Sequence, residues 1–173
     1  MRASDTVADV LPQKEGETMA ELSQGDKAPD FNLAADDGTR VTLSAHAGKA
    51  VVVYFYPKDD TSGCTLEARD FTVAARDFKK AGAIVIGISP DSEESHCKFK
   101  EKHGLAIALA ADPDREAIDA YGVWKEKSMY GRRYMGVERS TFLVGSDGRI
   151  ARIWHKVKVP GHVAEVLAAA REL

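Results

Sequence analysis

The chain has 173 residues, of which 44% are hydrophobic and 29% are charged, and its formal net charge is −3. This length suits a single domain, and this composition is typical of globular proteins rather than of disordered or membrane-spanning ones. A slightly acidic chain provides no broad positive field for nucleic acid or for an anionic membrane surface. We therefore predict a small-molecule substrate, and neither nucleic acid nor a membrane as a partner.

The N-terminal segment differs from the rest of the chain. Residues 1–24 are polar, show no sustained apolar period and contain an internal Met19. They are predicted to be a flexible extension, or to result from a start site assigned upstream of the true one. The folded domain is predicted to span residues 25–173. The segment lacks the basic region and apolar run of a secretory signal, which favours a cytoplasmic location.

Two apolar runs predict the centre of a β-sheet. "AVVVYFY" (50–56) is rich in β-branched and aromatic residues and precedes Pro57, which is typical of a strand buried on both faces. "AIVIGIS" (83–89) is a second run of this kind, and a helical stretch separates the two. This order predicts a parallel pair joined by a crossover helix.

The C-terminal third predicts a hairpin and a closing helix. "STFLVG" and "RIARIWHK" flank "SDGR", whose Asp147 and Gly148 suit the tight turn of an antiparallel hairpin. A last helix is predicted after Pro160, with apolar residues at helical spacing from Val163. The whole order predicts an α/β protein with a thioredoxin-like fold, a central mixed β-sheet flanked by helices, although many α/β proteins share such an order.

Cys64 heads an apolar stripe in the stretch between the first two strands. The only other cysteine is Cys97, so the chain has neither a disulfide framework nor a CxxC motif. Apolar residues follow Cys64 at helical spacing: Ala68, Phe71, Ala75 and Phe78. One amphipathic helix is therefore predicted to start near Cys64. Unpaired N–H groups and the dipole at a helix start favour a thiolate, which is the reactive form of cysteine.

The residues just before the cysteine allow two interpretations. Gly63 lets the backbone come close to a ligand, and the Thr61 hydroxyl can cap the helix or bond a bound oxygen. In the alternative interpretation Thr61 is only an N-cap and Cys64 only a small core residue. Composition and spacing do not decide between them.

Two motifs carry a resemblance to a known family. "YPKDDTSGCTLEA" contains the pattern PxxxTxxC at Pro57, Thr61 and Cys64, and "GVERSTFLV" places Arg139 just before a strand. Both resemble the active-site motifs of the peroxiredoxins. The segments "ISPDSEESH", "KEKSMYG" and "KVKVPGH" resemble the Q-type peroxiredoxins, also called bacterioferritin comigratory proteins. The resemblance extends from about Gly25 to the C-terminus.

The resemblance implies a thiol-dependent peroxidase that reduces hydrogen peroxide and organic hydroperoxides without a metal or other cofactor. Cys64 would attack the terminal peroxide oxygen and become a sulfenic acid. Arg139 and the backbone at Gly63 and Cys64 would supply positive potential and donors, Thr61 would orient the peroxide, and Pro57 would shield the site.

The resemblance also implies roles for Glu67 and for a second thiol. Glu67 matches a frequent acidic position, which implies a bond to the arginine or to backbone. Many Q-type members carry a resolving cysteine five residues after the first, where this chain has Arg69. Others carry it on the next helix, and Cys97, directly after His96, lies near that position. This implies a Cys64–Cys97 disulfide recycled by thioredoxin or another thiol reductant, in a monomer.

Three alternatives to this mechanism stay open. The enzyme would work with Cys64 alone and an external thiol if Cys97 does not resolve. A glutathione-peroxidase-like activity on the same fold is disfavoured by the PxxxTxxC context. A non-catalytic thioredoxin-fold holdase or binding module is the alternative outside the enzymes.

The segment around Cys97 is predicted to be a capped helix without a metal. Asp91 followed by Glu94 suits a helix start of the capping-box type. His96 and Phe99, with His103, would form the inward face and leave Cys97 accessible. The spacing of the histidines and the cysteine does not match a zinc site, so no metal is predicted.

A cationic stretch is predicted to be a loop that flanks the site. "KEKSMYGRRYMG" contains two lysines and two arginines among glycines and tyrosines. Because the chain as a whole is acidic, raising the local potential for a thiolate is favoured over binding nucleic acid. Trp124 and Trp154 are assigned to packing.

Overall fold

The computed structural model describes residues 21–173, so predictions for residues 1–20, including the start at Met19, lie outside it. Within this range there are nine strands and five α-helices. The strands are β1 (Asn32–Ala35), β2 (Arg40–Thr42), β3 (Ala50–Phe55), β4 (Ala83–Ser89), β5 (Ala108–Ala111), β6 (Trp124–Met129), β7 (Arg132–Val137), β8 (Ser140–Val144) and β9 (Ile150–Trp154). The helices are α1 (Ser62–Val73), α2 (Ala75–Lys80), α3 (Glu93–His103), α4 (Glu116–Ala120) and α5 (His162–Arg171). None of these helices has the length and apolar character needed to cross a membrane.

Seven strands form one mixed sheet in the order β2-β1-β5-β4-β3-β8-β9. Strands β3, β4 and β5 are parallel to one another, whereas the other neighbouring pairs are antiparallel. The predicted parallel pair is therefore confirmed as β3 and β4, and the helical stretch between them crosses over as α1 and α2. All six residues of β3 are buried, which fits its apolar composition on both faces.

Alternate residues of β3 face two different cores. Val51, Val53 and Phe55 pack in a core that α4 covers, whereas Val52 and Tyr54 face the core under the other helices. This second core takes side chains from α1, α2, α3 and α5. Because side chains alternate along a strand, successive residues of β3 point into different layers. The second layer contains both predicted functional helices, α1 and α3.

The antiparallel hairpin β8–β9 and the closing helix α5 are confirmed. In the turn, Gly148 has a φ of +80° and the Asp147 carboxylate accepts a 3.0 Å hydrogen bond from the Arg149 N–H. A positive φ at this position favours glycine. The chain enters α5 through Gly161, directly after Pro160, as the sequence predicts.

The predicted single helix after Cys64 is wrong in one respect, since it is divided into α1 and α2 at Ala74. Ala74 has φ −90° and ψ 3°, which ends the regular hydrogen-bonding of α1. The apolar stripe nevertheless continues across the break, because Cys64, Phe71 and Phe78 are all buried. Apolar spacing reports which side is buried and not whether the backbone is continuous.

The cationic stretch is a hairpin and not the predicted loop. Strands β6 and β7 pair in a separate two-stranded sheet, with Lys127 opposite Tyr134. The turn residues Tyr130 and Gly131 both have positive φ, 53° and 78°, as a tight hairpin turn requires. Because these strands are largely polar, the sequence shows no apolar alternation from which they could be predicted.

The start of α3 is one residue later than predicted. Ser92 is the N-cap, and its hydroxyl accepts the Ser95 N–H at 3.1 Å. Asp91 instead accepts the Asp59 N–H at 2.8 Å from the loop after β3. Both residue types are good caps, so the choice is made by the tertiary partner of Asp91.

Candidate active site

Cys64 is the third residue of α1, at the end of the loop that follows β3. The first hydrogen bond of the helix joins the Thr65 N–H to the Thr61 carbonyl at 2.8 Å, so the N–H groups of residues 62–64 precede it. The cysteine is only 1% exposed and packs in the core of the α1 layer with Phe71. The helix N-terminus stabilises negative charge at this position.

Arg139 is distant from Cys64 in the sequence but contacts it in the structure. It lies between β7 and β8, and its Nη2 donates to the Cys64 Sγ at 3.2 Å. Its Nη1 donates to Glu67 Oε1 at 2.6 Å, so both ends of the guanidinium are held. Burial lowers the pKa of Arg139, but Glu67 and Cys64 outweigh burial and raise it. The arginine therefore remains a cation against the sulfur.

Glu67 lies one helical turn after Cys64 and its side chain has no exposed surface. Burial raises the pKa of Glu67 to about 7, although Arg139 opposes the shift. No described residue donates a hydrogen bond to its Oε2 or pairs with the buried hydroxyl of Tyr54. Burial, and after it the Glu67 carboxylate, raises the pKa of Tyr54. Sequence reasoning missed Tyr54 beside the site, because an aromatic residue within an apolar strand is predicted only to be a core residue.

Gly63 gives space to the arginine. A β-carbon at this position would lie 3.2 Å from Arg139 Nη2, closer than ordinary van der Waals contact. The sequence suggested a close approach of a ligand to the backbone, whereas the close neighbour in the structure is the guanidinium. A glycine beside Cys64 thus permits the 3.2 Å contact between Arg139 and the sulfur.

Thr61 is exposed at the N-cap position of α1, but its hydroxyl does not cap the helix. The hydroxyl donates instead to the Lys58 carbonyl at 2.9 Å. The capping interpretation is therefore wrong for this side chain. With its hydrogen directed to a carbonyl, the oxygen presents lone pairs that can accept a hydrogen bond from another donor.

Pro57 lies at the start of the same loop and is half-buried. The residue before it, Tyr56, is 1% exposed and donates to the Asp59 carboxylate at 2.6 Å. The loop between β3 and α1 is therefore fixed from beneath by a buried tyrosine and an aspartate. It carries Pro57 and Thr61 on a supported backbone.

Lys127 is a cation near the site that the motifs did not identify. Its aliphatic stem crosses the position where a side chain would stand at Gly136, with its Cδ 3.4 Å from that β-carbon. Burial and next Arg139 lower the pKa of Lys127, whereas Cys64 and Glu138 oppose this. The side chain thus lies within the electrostatic reach of both the cysteine and the arginine. The sequence indicated only a cationic stretch near the site.

Cys97 is exposed on α3, and both cysteines are free thiols. The inward face of α3 is as predicted for His96 and Phe99, which are buried. His103 is only partly buried and pairs with Asp60 at 2.8 Å. The structure thus places the two thiols on different helices, one inside the protein and one at its surface.

The described residues include one group with potential metal ligands, formed by Asp59, Asp91 and His96. Its ligand atoms lie within 4.8 Å of one another, and each of the three residues is already hydrogen-bonded. It is not the set of His96, Cys97 and His103 that the sequence raised. The absence of a metal requirement stays a prediction.

The fold and the cysteine–arginine geometry agree with the comparisons to known proteins. The profile of the AhpC/TSA family matches residues 24–153, and the chain therefore belongs to this family. Peroxiredoxin Bcp of Bacillus subtilis (strain 168) is 50% identical over 149 residues, which are 86% of this chain and 95% of that protein. Peroxiredoxin Bcp of Escherichia coli (strain K12) is 40% identical, with 89% and 99% of the two chains covered.

Solved structures give the same result. Xanthomonas campestris peroxiredoxin Q has a TM-score of 0.79 at 48% identity, with 82% of this chain and 90% of that chain covered. A structure of the bacterioferritin comigratory protein from the same organism, described for its alkyl peroxide reduction activity, has a TM-score of 0.78 at 47% identity, with 82% and 90% covered. The predicted fold and the Q-type assignment are confirmed. The protein is a thiol-dependent peroxidase that reduces peroxides with electrons from a thiol.

Proposed function

We propose that Cys64 is the nucleophile of this peroxidase and that hydrogen peroxide and alkyl hydroperoxides are its substrates. The observation that carries the proposal is the 3.2 Å contact between Arg139 Nη2 and the Cys64 sulfur, with the same guanidinium bonded to Glu67. A fixed cation at this distance stabilises the thiolate and the charge that develops on the leaving oxygen. The similarity to a protein with alkyl peroxide reduction activity supports the wider substrate class.

In the first step the Cys64 thiolate attacks the terminal oxygen of the hydroperoxide. The new S–O bond forms as the O–O bond breaks, which oxidises the sulfur to a sulfenic acid. The departing oxygen leaves with the bonding pair and takes a proton to become water or an alcohol. The cysteine loses two electrons and the peroxide gains them.

The loop before α1 would hold the substrate for this step. The Thr61 hydroxyl, directed by the Lys58 carbonyl, accepts a hydrogen bond from the hydroperoxide. The backbone N–H groups of Gly63 and Cys64 precede the first helical hydrogen bond and donate to the peroxide oxygens. Pro57, half-buried at the start of the same loop, would limit the access of water.

In the second step Cys97 would resolve the sulfenic acid. Its thiol attacks the oxidised sulfur, an S–S bond forms, and the sulfenic oxygen leaves as water. A reduced thioredoxin returns two electrons by thiol–disulfide exchange. A disulfide requires α-carbons within about 7 Å. Because Cys64 is buried on α1 and Cys97 is exposed on α3, we propose that the two sulfurs do not meet while both helices stay docked. Resolution in this form therefore includes local opening of a helix.

The second candidate is a single-cysteine cycle with an external thiol. The location of the two thiols favours this cycle, because Cys64 is buried on one helix and Cys97 is exposed on another. In that cycle a small thiol or a reductant protein attacks the Cys64 sulfenic acid directly. The monomeric state, the cytoplasmic location and the 25–173 domain boundary also remain predictions.

The test is peroxide-dependent NADPH oxidation coupled through thioredoxin and its reductase. Cys64→Ser should lose all turnover, and retained turnover would overturn the assignment of the nucleophile. Cys97→Ser should lose turnover with thioredoxin, while the wild type should show one intramolecular disulfide by intact mass after one equivalent of peroxide. Normal turnover of Cys97→Ser would instead establish the single-cysteine cycle.

A further inference from the structure

A buried polar pair joins the active-site loop to the helix that carries Cys97. His96 on α3 and Asp59 in the loop before α1 are in contact through Nδ1 and Oδ2 at 2.7 Å. Their side chains are 0% and 4% exposed, so this contact is inside the protein. Neither residue touches the reacting sulfur in the mechanism above. The pair is buried, whereas Cys97, the next residue of α3 after His96, is exposed.

Both ring nitrogens of His96 are hydrogen-bonded. His96 Nε2 faces the Ala110 carbonyl of β5 at 3.0 Å, and because a carbonyl only accepts, Nε2 carries a hydrogen. His96 Nδ1 faces Asp59 Oδ2 at 2.7 Å. A buried site tolerates polar groups that are hydrogen-bonded in this way.

Asp59 is held by further contacts. Its carboxylate accepts hydrogen bonds from the Tyr56 hydroxyl at 2.6 Å and from the Ser95 hydroxyl at 2.8 Å. Its backbone N–H donates to Asp91, which itself accepts from Ser89 at the end of β4. The loop and α3 thus meet at the Asp59 carboxylate, and the end of β4 joins them through Asp91. Removing either member of the pair leaves the other buried and unpaired.

We propose that Asp59 and His96 are positioning residues that hold the active-site loop and α3 together in the peroxide-reducing arrangement. Opening of this pair controls how often Cys97 can reach oxidised Cys64. The first consequence is on the loop, because Asp59 stands two residues before Thr61. The second is on α3, because His96 is the neighbour of Cys97. The part that concerns Cys97 rests on the proposed function.

An exposed pair between the same two elements provides a matched control. Asp60 is paired with Lys102 at 2.7 Å and with His103 at 2.8 Å, both near the end of α3. Asp60 is 44% exposed and Lys102 is 62% exposed. Ion pairs in solvent contribute little to holding two elements together. Lys102→Gln should therefore leave the opening of α3 close to that of the wild type.

Two substitutions at His96 separate its two contacts. His96→Gln places an amide near the Nε2 position, toward Ala110, and removes the group that faces Asp59. His96→Asn places an amide near the Nδ1 position, toward Asp59, and removes the contact with Ala110. Amide hydrogen exchange is measured by mass spectrometry on the reduced proteins. Peroxide reaction and disulfide formation are measured after one equivalent of peroxide.

We expect opposite effects on the two chemical steps in His96→Gln. Exchange in residues 93–103 and 57–61 should be at least about tenfold faster, because an unpaired buried partner destabilises the docked state. Disulfide formation should become several-fold faster and the reaction with peroxide slower. His96→Asn should lie closer to the wild type. A purely structural role would speed exchange throughout the protein and would not accelerate disulfide formation.

The proposal is overturned if His96→Gln leaves both the exchange of α3 and the rate of disulfide formation unchanged, or if Gln and Asn behave alike. If His96→Gln does not fold, hydrogen exchange of the wild-type protein still tests the proposal. Under conditions where opening limits exchange, residues 57–61 and 93–103 should show one common opening rate. Unrelated rates would contradict the proposal that Asp59 and His96 hold the loop and α3 together. If the wild type forms no internal disulfide, the role of Cys97 fails, while exchange in the reduced protein still tests the pair.

Discussion

At the scale of single residues, one methyl group would change how Arg139 meets Cys64. The β-carbon of Gly63→Ala would stand 3.2 Å from Arg139 Nη2 and displace it. We expect the second-order rate constant with hydrogen peroxide to fall about tenfold, because small displacements of a positioned group are costly. Stability should rise by up to about 1 kcal/mol, since alanine is the better helix former. Stopped-flow fluorescence and urea denaturation measure the two effects.

Ser62→Ala is the control for Gly63→Ala, because Ser62 is exposed in the same helical turn. Its rate constant should stay near that of the wild type. An equal loss in both variants would mean that the helix start, and not the guanidinium, is sensitive to substitution.

Lys127 gives a second prediction at the same scale. Lys127→Met removes a cation that lies within reach of Cys64 and Arg139, so the peroxide rate constant should fall several-fold, about three to ten times. Lys127→Arg should restore most of the rate. Lys125→Met removes the same charge two residues earlier on β6, where the side chain lines a different cavity with Tyr121 and Trp124. A similar loss in the Lys125 variant would contradict a specific effect of Lys127.

Sequence reasoning at this scale identified residue types better than their partners. The family motifs selected Cys64 and Arg139, which the structure brings to 3.2 Å of each other. The bond of the Thr61 hydroxyl to Lys58 and the approach of Arg139 to Gly63 depend on backbone geometry that a motif does not encode. The same holds for Lys127, whose position requires the hairpin to exist.

At the scale of elements, the start of α3 can be tested directly. Ser92→Ala removes the N-cap and should lower the free energy of unfolding by about 1 kcal/mol. Glu94→Ala, at the acidic position of the capping box that the sequence suggested, should change it by less than about 0.5 kcal/mol, because its pair with Lys98 is exposed. Urea denaturation at pH 7 compares them. A larger loss in the Glu94 variant would restore the capping-box interpretation.

The predictability of the elements followed their burial. Strands β3 and β4 are long apolar runs, and the turn at Gly148 has a specific residue signature, so each could be read from the sequence. Strand β5 is the alanine-rich "ALAA", a poor strand former that exists because β1 and β4 pair on its two sides. Strands β6 and β7 are largely exposed and lack alternation. Long-range pairing, which a local pattern does not contain, determines these.

At the scale of the whole molecule, two buried groups give opposite pH dependences of stability. Burial lowers the pKa of His162 from 6.5 to about 4, so the unfolded state binds more protons between these values. Stability from this group is complete above pH 6.5 and is lost as the pH falls toward 4. For Glu67 the folded pKa is raised from 4.5 to about 7, so its contribution is lost as the pH rises through that range.

His162→Gln isolates the histidine, since glutamine does not titrate and can keep a bond to the Thr141 hydroxyl. The free energy of unfolding should be measured from pH 4 to pH 7 by urea denaturation. The wild type should gain stability relative to the variant as the pH rises from about 4 to 6.5. A constant difference between the two proteins would show that His162 does not titrate on unfolding.

The arginine at position 69 has a consequence for how any second thiol could meet Cys64. Arg69 is exposed on α1, five residues after the cysteine. Two α-carbons at that spacing in an ideal helix are about 9 Å apart, beyond the reach of about 7 Å for a disulfide. A thiol at position 69 would thus require α1 to unwind, whereas the proposed disulfide with Cys97 would require α1 or α3 to leave its place. In a cycle with an internal disulfide, the position of the partner thiol would therefore decide which helix opens.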